Sequence, residues 1–112
     1  MEFGSNKPIY LQICDSIGEE ILAGIMKEGD RIPSVREYAA EFGVNPNTVA
    51  RSYEKLTDSG VIFTKRGLGY FVSEGAKEAV LTSARKEFLE NEVPTFLHRM
   101  RVLGLEIEDL GV

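Results

Sequence analysis

One cysteine and one histidine in 112 residues leave little room for several kinds of chemistry. Cys14 alone cannot close an internal disulfide, and a reducing cytoplasm is the expected setting. Cys14 and His98 together fall short of the ligand count of a zinc site, so no metal and no cofactor is expected. No apolar run approaches the roughly 18 residues that span a bilayer, and no charged-then-apolar leader opens the chain, so no membrane partner is expected. Residues 1–5, MEFGS, read as an expression-vector scar and are set aside. Paired carboxylates of catalytic type are missing, as is a histidine beside an acid on a plausible catalytic loop. Gly67 and Gly69 lack the third glycine and the following helix of a dinucleotide fingerprint. An enzyme is not expected.

Basic surplus is lacking too. Net charge is −5, which argues against a uniformly basic nucleic-acid binder, yet the distribution is uneven. Residues 1–30 balance at −4, residues 31–70 at +2 and residues 71–112 at −3. Only the middle of the chain is basic. With 43% hydrophobic and 28% charged residues, the composition is that of a globular protein of one domain, or of a small domain with an appendage.

Helical periodicity carries the first third. Pro8 can open a helix, and Ile9, Ile13, Ile17 and Ile21 recur at every fourth position, predicting a helix over 8–23 that stops near Gly24. A short extended stretch follows at Asp30, Arg31 and Ile32, since Pro33 biases its predecessor away from helix. Ser34 and Glu37 form a capping box for a second helix, with Val35, Tyr38, Ala39 and Phe42 as its buried face and Gly43 as its stop. Asn45 as N-cap and Pro46 as first helical residue then predict a third helix, about 46–59, closed by Gly60. Two helices joined by so short a glycine-containing turn make a helix-turn-helix. Strand-forming residues at 61–65 and 70–72 flank Arg66, Gly67, Leu68 and Gly69, a hairpin. The expected fold is mainly α with a small β-hairpin (α+β): a winged helix-turn-helix over 6–74.

Residues 75–112 read as helical. Ala76, Val80, Ala84 and Phe88 keep four-residue spacing, Pro94 breaks or bends the pattern, and Phe96, Leu97, Met100 and Leu103 resume it up to Gly104. A last short turn is expected at 106–110. So short a segment cannot bury these side chains alone, so a short helical dimerisation region is expected, using Val80, Ala84, Phe88, Phe96, Leu97, Met100 and Leu103. The other reading of Phe88, Phe96, Leu97 and Met100 is a small-ligand pocket; helical spacing favours packing.

In the third helix Val49, Tyr53 and Leu56 take the core, leaving Asn47, Thr48, Arg51 and Lys55 opposite, with Asn45 at the start. A recognition helix presents its N-terminal residues to base edges; asparagine can read adenine, and threonine a base, a methyl group or a phosphate. The helix N-terminus also attracts phosphate. The alternative is a capped, solvated helix whose Asn and Thr serve only the backbone. Arg36 stands where the helix dipole disfavours a cation, which a phosphate or guanine partner would explain; a harmless exposed arginine is the other reading. Lys65 and Arg66 would touch phosphate or the minor groove from the wing, or else form a solvated tip. Arg31 is expected to pair with Asp30 or Glu28 rather than with DNA. Cys14 is read as buried against the helical core, and His98 as a surface or interface residue.

The blocks PIYLQI at 8–13, GDRIPSVRE at 29–37, VNPNTVARSY at 44–53 and RGLGYFV at 66–72, in this order and spacing, resemble the GntR family of bacterial transcription regulators. The NPNT version and the short C-terminal region are similar to its YtrA subfamily. The resemblance implies a winged-helix DNA-binding domain, a C-terminal dimerisation region and, in most members, control by a small effector. By matching position it implies DNA contacts at Arg36, Asn45, Asn47, Thr48 and Arg51, and at Gly67 in the wing. Larger relatives carry a full effector-binding domain where this chain has only residues 75–112, so an enclosed ligand pocket within one subunit is not expected. Members of the subfamily often regulate neighbouring transporter genes. The resulting expectation is a sequence-specific transcriptional repressor, a homodimer on a pseudo-palindromic double-stranded operator, with a small effector at the dimer interface as a candidate partner. A protein-interaction module that uses the winged fold without DNA is the alternative.

Overall fold

The computed structural model describes residues 7–112, so the MEFGS segment lies outside the described residues. The chain divides into two compact units, one running to Val80 and one from Leu81 to Val112.

In the first unit, Pro8 caps helix α1 (Ile9–Leu22). Ile13, Ile17 and Ile21 are fully buried, each worth about 1.5–3 kcal/mol, whereas Ile9 stays exposed, so the working stripe is three residues long. Helix α2 (Val35–Phe42) carries the predicted capping box in full: the Ser34 hydroxyl accepts from the Glu37 amide at 3.1 Å, and the Glu37 carboxylate accepts from the Ser34 amide at 3.0 Å. Tyr38 and Ala39 are buried, but Phe42 remains at the surface, its ring 4.5 Å from that of Tyr38. Gly43 ends α2 with φ 65°, a left-handed cap that a side chain would strain.

Helix α3 (Pro46–Asp58) starts as predicted, with Asn45 as N-cap and Pro46 in the first turn. Val49, Tyr53 and Leu56 are buried, and so is Ser52, whose hydroxyl donates to the Tyr10 carbonyl at 2.7 Å and lies 3.1 Å from that of Thr48. That bond fastens α3 to α1. Strands β1 (Ile62–Lys65) and β2 (Gly69–Val72) form an antiparallel hairpin pairing Ile62 with Val72 and Lys65 with Gly69. Residues 29–32 run beside β2: the Ile32 amide donates to Tyr70, the Val72 amide to Asp30 and the Gly29 amide to Val72. The extended stretch predicted before Pro33 is thus a partial third ribbon, bridged at Arg31 and Phe71. This is a winged helix-turn-helix.

Helix α4 (Ala76–Glu87) starts with Ala76 fully buried. A Cβ at Gly18 of α1 would lie 3.1 Å from a Val80 methyl, so glycine permits that approach.

In the second unit a π-helical turn, Phe88–Glu92, precedes helix α5 (Val93–Val102). Pro94 has no N–H to give to the carbonyl four residues back, and the ladder widens just before it, with the Val93 amide donating to Phe88. The Thr95 hydroxyl donates to the Asn91 carbonyl at 2.8 Å, satisfying a group beside the break. Gly104 then turns the chain with φ 70°, and a short 3-10 helix, Ile107–Leu110, follows.

Candidate nucleic-acid interface

The opening turn of α3 is held by its own groups. The Asn45 side-chain oxygen accepts from the Asn47 amide at 2.8 Å, and the Thr48 and Val49 amides both donate to the Asn45 carbonyl. Pro46 has no amide hydrogen. The first-turn N–H groups are therefore engaged, and any attraction for phosphate here comes from the helix dipole and the side chains. Asn45 spends half its amide on the cap, whereas Asn47 is exposed with no side-chain hydrogen bond among the described residues, and Thr48 is half-buried.

Arg51 is exposed, and its guanidinium carbon lies 3.8 Å from the centroid of the Tyr10 ring. Stacking on α1 removes much of the side chain's freedom, so less ordering remains to be done when it meets an anion. Lys55, one turn on, shares with Tyr10, Arg51, Glu54, Asp58 and Ser59 an open depression of about 610 Å³. Glu54 and Asp58 make the far half of α3 mixed in charge, whereas Arg51 is the one charged residue of its near half.

Arg36 is exposed on the first turn of α2. In the wing, Arg66 and Gly67 sit exposed in the turn, Gly67 with φ 79°. Lys65 differs from its neighbour: its ammonium stands 4.6 Å over Phe71 and 5.7 Å from Phe63, on the aromatic face of the hairpin.

Arg31 does not pair with Asp30 or Glu28. The Asp30 carboxylate accepts from the Lys27 amide at 2.8 Å, and that of Glu28 from the Gly75 amide at 2.8 Å. Arg31 reaches instead to the Leu68 carbonyl in the wing turn (3.2 Å) and to Glu37 of α2 (3.5 Å). The Glu37 carboxyl is held below the usual carboxylate range, first by the Ser34 amide and hydroxyl and then by Arg31. Tyr53 is a second organiser that periodicity read only as core. Its hydroxyl donates to the Pro33 carbonyl at 2.6 Å, and its ring meets Tyr38 and Tyr70 edge-on at 6.2 and 4.9 Å. One side chain of α3 thereby touches α2, the segment before it and the wing. The only sequence hint was a tyrosine, rather than an aliphatic residue, on a core stripe.

Cys14 packs against the core, its thiol donating to the Ser52 carbonyl at 3.4 Å, and burial pushes its pKa up to about 11. At pH 7–8 it stays protonated, so we expect thiol-exchange reagents to label it slowly in the folded protein and rapidly once denatured; fast native labelling would contradict the placement. His98 is exposed on α5. Among the described residues no three His, Cys, Asp or Glu side chains converge as a metal site would require.

Of the seven residues assigned to dimerisation, two are taken up within the chain. Val80 belongs to the first unit and packs on Gly18, and Met100 is only 6% exposed. Helical spacing could not separate these roles, because it gives a face and not what covers it. Ala84, Phe88 (52% exposed), Phe96 (50%), Leu97 (36%) and Leu103 (61%) remain uncovered, joined by Leu89 and Val102, which the spacing missed.

The profile of the family described as bacterial regulatory proteins, gntR family, matches residues 9–72. The HTH-type transcriptional repressor YtrA of Bacillus subtilis (strain 168) is 40% identical over 106 residues, 95% of this chain and 81% of that protein. A GntR family transcriptional regulator from Listeria monocytogenes superposes with a TM-score of 0.73 at 36% identity, over 96% of this chain and 93% of that one. The DNA-binding domain of AraR, solved in complex with operator ORR3, superposes with a TM-score of 0.57 at 28% identity, over 65% of this chain and 90% of that one.

Proposed function

The chain belongs to the GntR family of bacterial regulatory proteins, and on that premise we propose that it is a repressor which binds a pseudo-palindromic operator as a homodimer. It is a transcription regulator with a winged-helix DNA-binding domain, not an enzyme. The observation that carries the finer reading is the opening of α3. Asn47 and Arg51 are exposed there, Thr48 lies beside them, and the turn is already rigid through its own cap.

In this reading α3 enters the major groove, with Asn47, Thr48 and Arg51 reading bases or nearby phosphates and Asn45 serving chiefly as the cap. Arg36 and the wing residues Arg66 and Gly67 hold the phosphate backbone on either side. Lys65 and Lys55 contribute long-range attraction more than contact, because one lies over an aromatic pair and the other beside two carboxylates. Two copies joined through the second unit place their α3 helices about 34 Å apart, or a multiple of it, to match half-sites one helical turn apart. A small effector would bind where two copies meet, since the depression on a single chain is open and mixed in charge.

Footprinting on the promoter of the protein's own gene would locate the operator. In gel-shift titrations on that site Arg51→Ala is expected to weaken binding by about 1–3 kcal/mol without unfolding the protein. Unaltered affinity would remove Arg51 from the interface. Binding with no salt dependence would point instead to a protein-docking role for the fold.

A further inference from the structure

We infer that Arg31 is a positioning residue for DNA binding, a clamp that fixes the wing tip against the first turn of α2. The inference rests on the DNA-binding reading above and adds a residue which the sequence assigned to a local ion pair.

Three observations meet at its guanidinium. Nε donates to the Leu68 carbonyl, inside the turn that carries Arg66 and Gly67. Nη2 lies 3.5 Å from Glu37, whose carboxylate also caps the helix that presents Arg36. A Cβ at Gly69 would stand 3.3 Å from Arg31 Nε, so the glycine leaves room for the side chain to lie along the wing backbone. Only arginine offers a planar fork that can serve a carbonyl and a carboxylate at once. The ion pair is exposed on both sides, and such pairs contribute little by themselves. The value of the arrangement is geometric: a hairpin turn that would otherwise have to be ordered on binding is already fixed relative to α2.

A phosphate contact and a clamp predict different behaviour. The probe is a short duplex enriched by the wild-type protein from a random-sequence pool, titrated over a range of salt. Arg31→Ala is expected to weaken binding roughly three- to tenfold, the cost of ordering a freed turn. The slope of affinity against salt should stay as in wild type, because the clamp neutralises no phosphate, whereas Arg66→Ala should lower that slope by about one. Arg31→Lys, which keeps the charge and threatens the fold least, should bind as poorly as the alanine variant. In an Arg66→Ala background the Arg31→Ala loss should shrink, since the clamp acts through the wing it presents.

The clamp is overturned if Arg31→Ala binds as wild type, or if losses at Arg31 and Arg66 simply multiply. It is equally overturned if Arg31→Ala lowers the salt slope and lysine restores binding, which would make Arg31 a direct phosphate contact. A wild-type protein that enriches no duplex would fell the DNA-binding reading itself, and the clamp with it.

Discussion

Tyr53→Ala should unfold the winged-helix unit well below the wild-type melting temperature, with a loss of about 3–5 kcal/mol. The ring is fully buried and sits between the rings of Tyr38 and Tyr70, so truncation opens a cavity lined by three elements. It also strips the Pro33 carbonyl of its donor. Domains of this size have only about 5–15 kcal/mol in total, so the loss is a large share of stability. A fall in thermal midpoint of at least about 10 °C is the expected reading. Tyr53→Phe separates the two contributions: it keeps the ring, leaves one carbonyl unpaired and should cost about 1–3 kcal/mol. A small shift for the alanine variant would mean that Tyr53 does not tie α3 to α2 and the wing.

Truncation after Val80 should have the largest effect on function. The shortened chain keeps Ala76 and Val80, which belong to the first unit, and should fold. It loses the exposed apolar side chains of the second unit, Phe88, Phe96 and Leu103 among them, and should be monomeric by light scattering where the full chain is expected to be a dimer. Operator affinity should then fall by about 10²–10⁴, because the second half-site no longer binds as part of the same molecule. A truncated chain that remains dimeric would refute the proposed role of residues 81–112. Cutting after Glu74 is a poorer experiment, since it also removes the fully buried Ala76 and the Val80 methyls that cover Gly18.

That contrast shows where the sequence was a sufficient guide. The capping box of Ser34 and Glu37, the Asn45–Pro46 start of α3 and the glycine turn of the hairpin were all legible, since each depends on residues within a few positions of one another. The family blocks were legible for a related reason, as they lie on those same local features. The division between helices was less so. Ala76 and Val80 share a periodic stripe with Ala84 and Phe88, and periodicity does not say that Ala76 is buried in the core and Val80 packs on Gly18 while the others stay uncovered.

Taken by itself, the sequence determined the order of elements, the winged helix-turn-helix and which residues of α3 face the core. Local hydrogen bonds and the spacing of apolar residues suffice for these. Tertiary structure alone decided which partner each long side chain takes. Arg31 had three carboxylates within six residues, and the fold sets its guanidinium between the Leu68 carbonyl and Glu37, while Asp30 and Glu28 accept from the Lys27 and Gly75 amides. Arg51 rests on Tyr10, and Tyr53 reaches Pro33, because α1, α2 and the wing converge on α3 from distant points in the chain. Such choices draw in groups far apart in sequence, such as Leu68 for Arg31 and Tyr10 for Arg51, and only the packed fold brings them together.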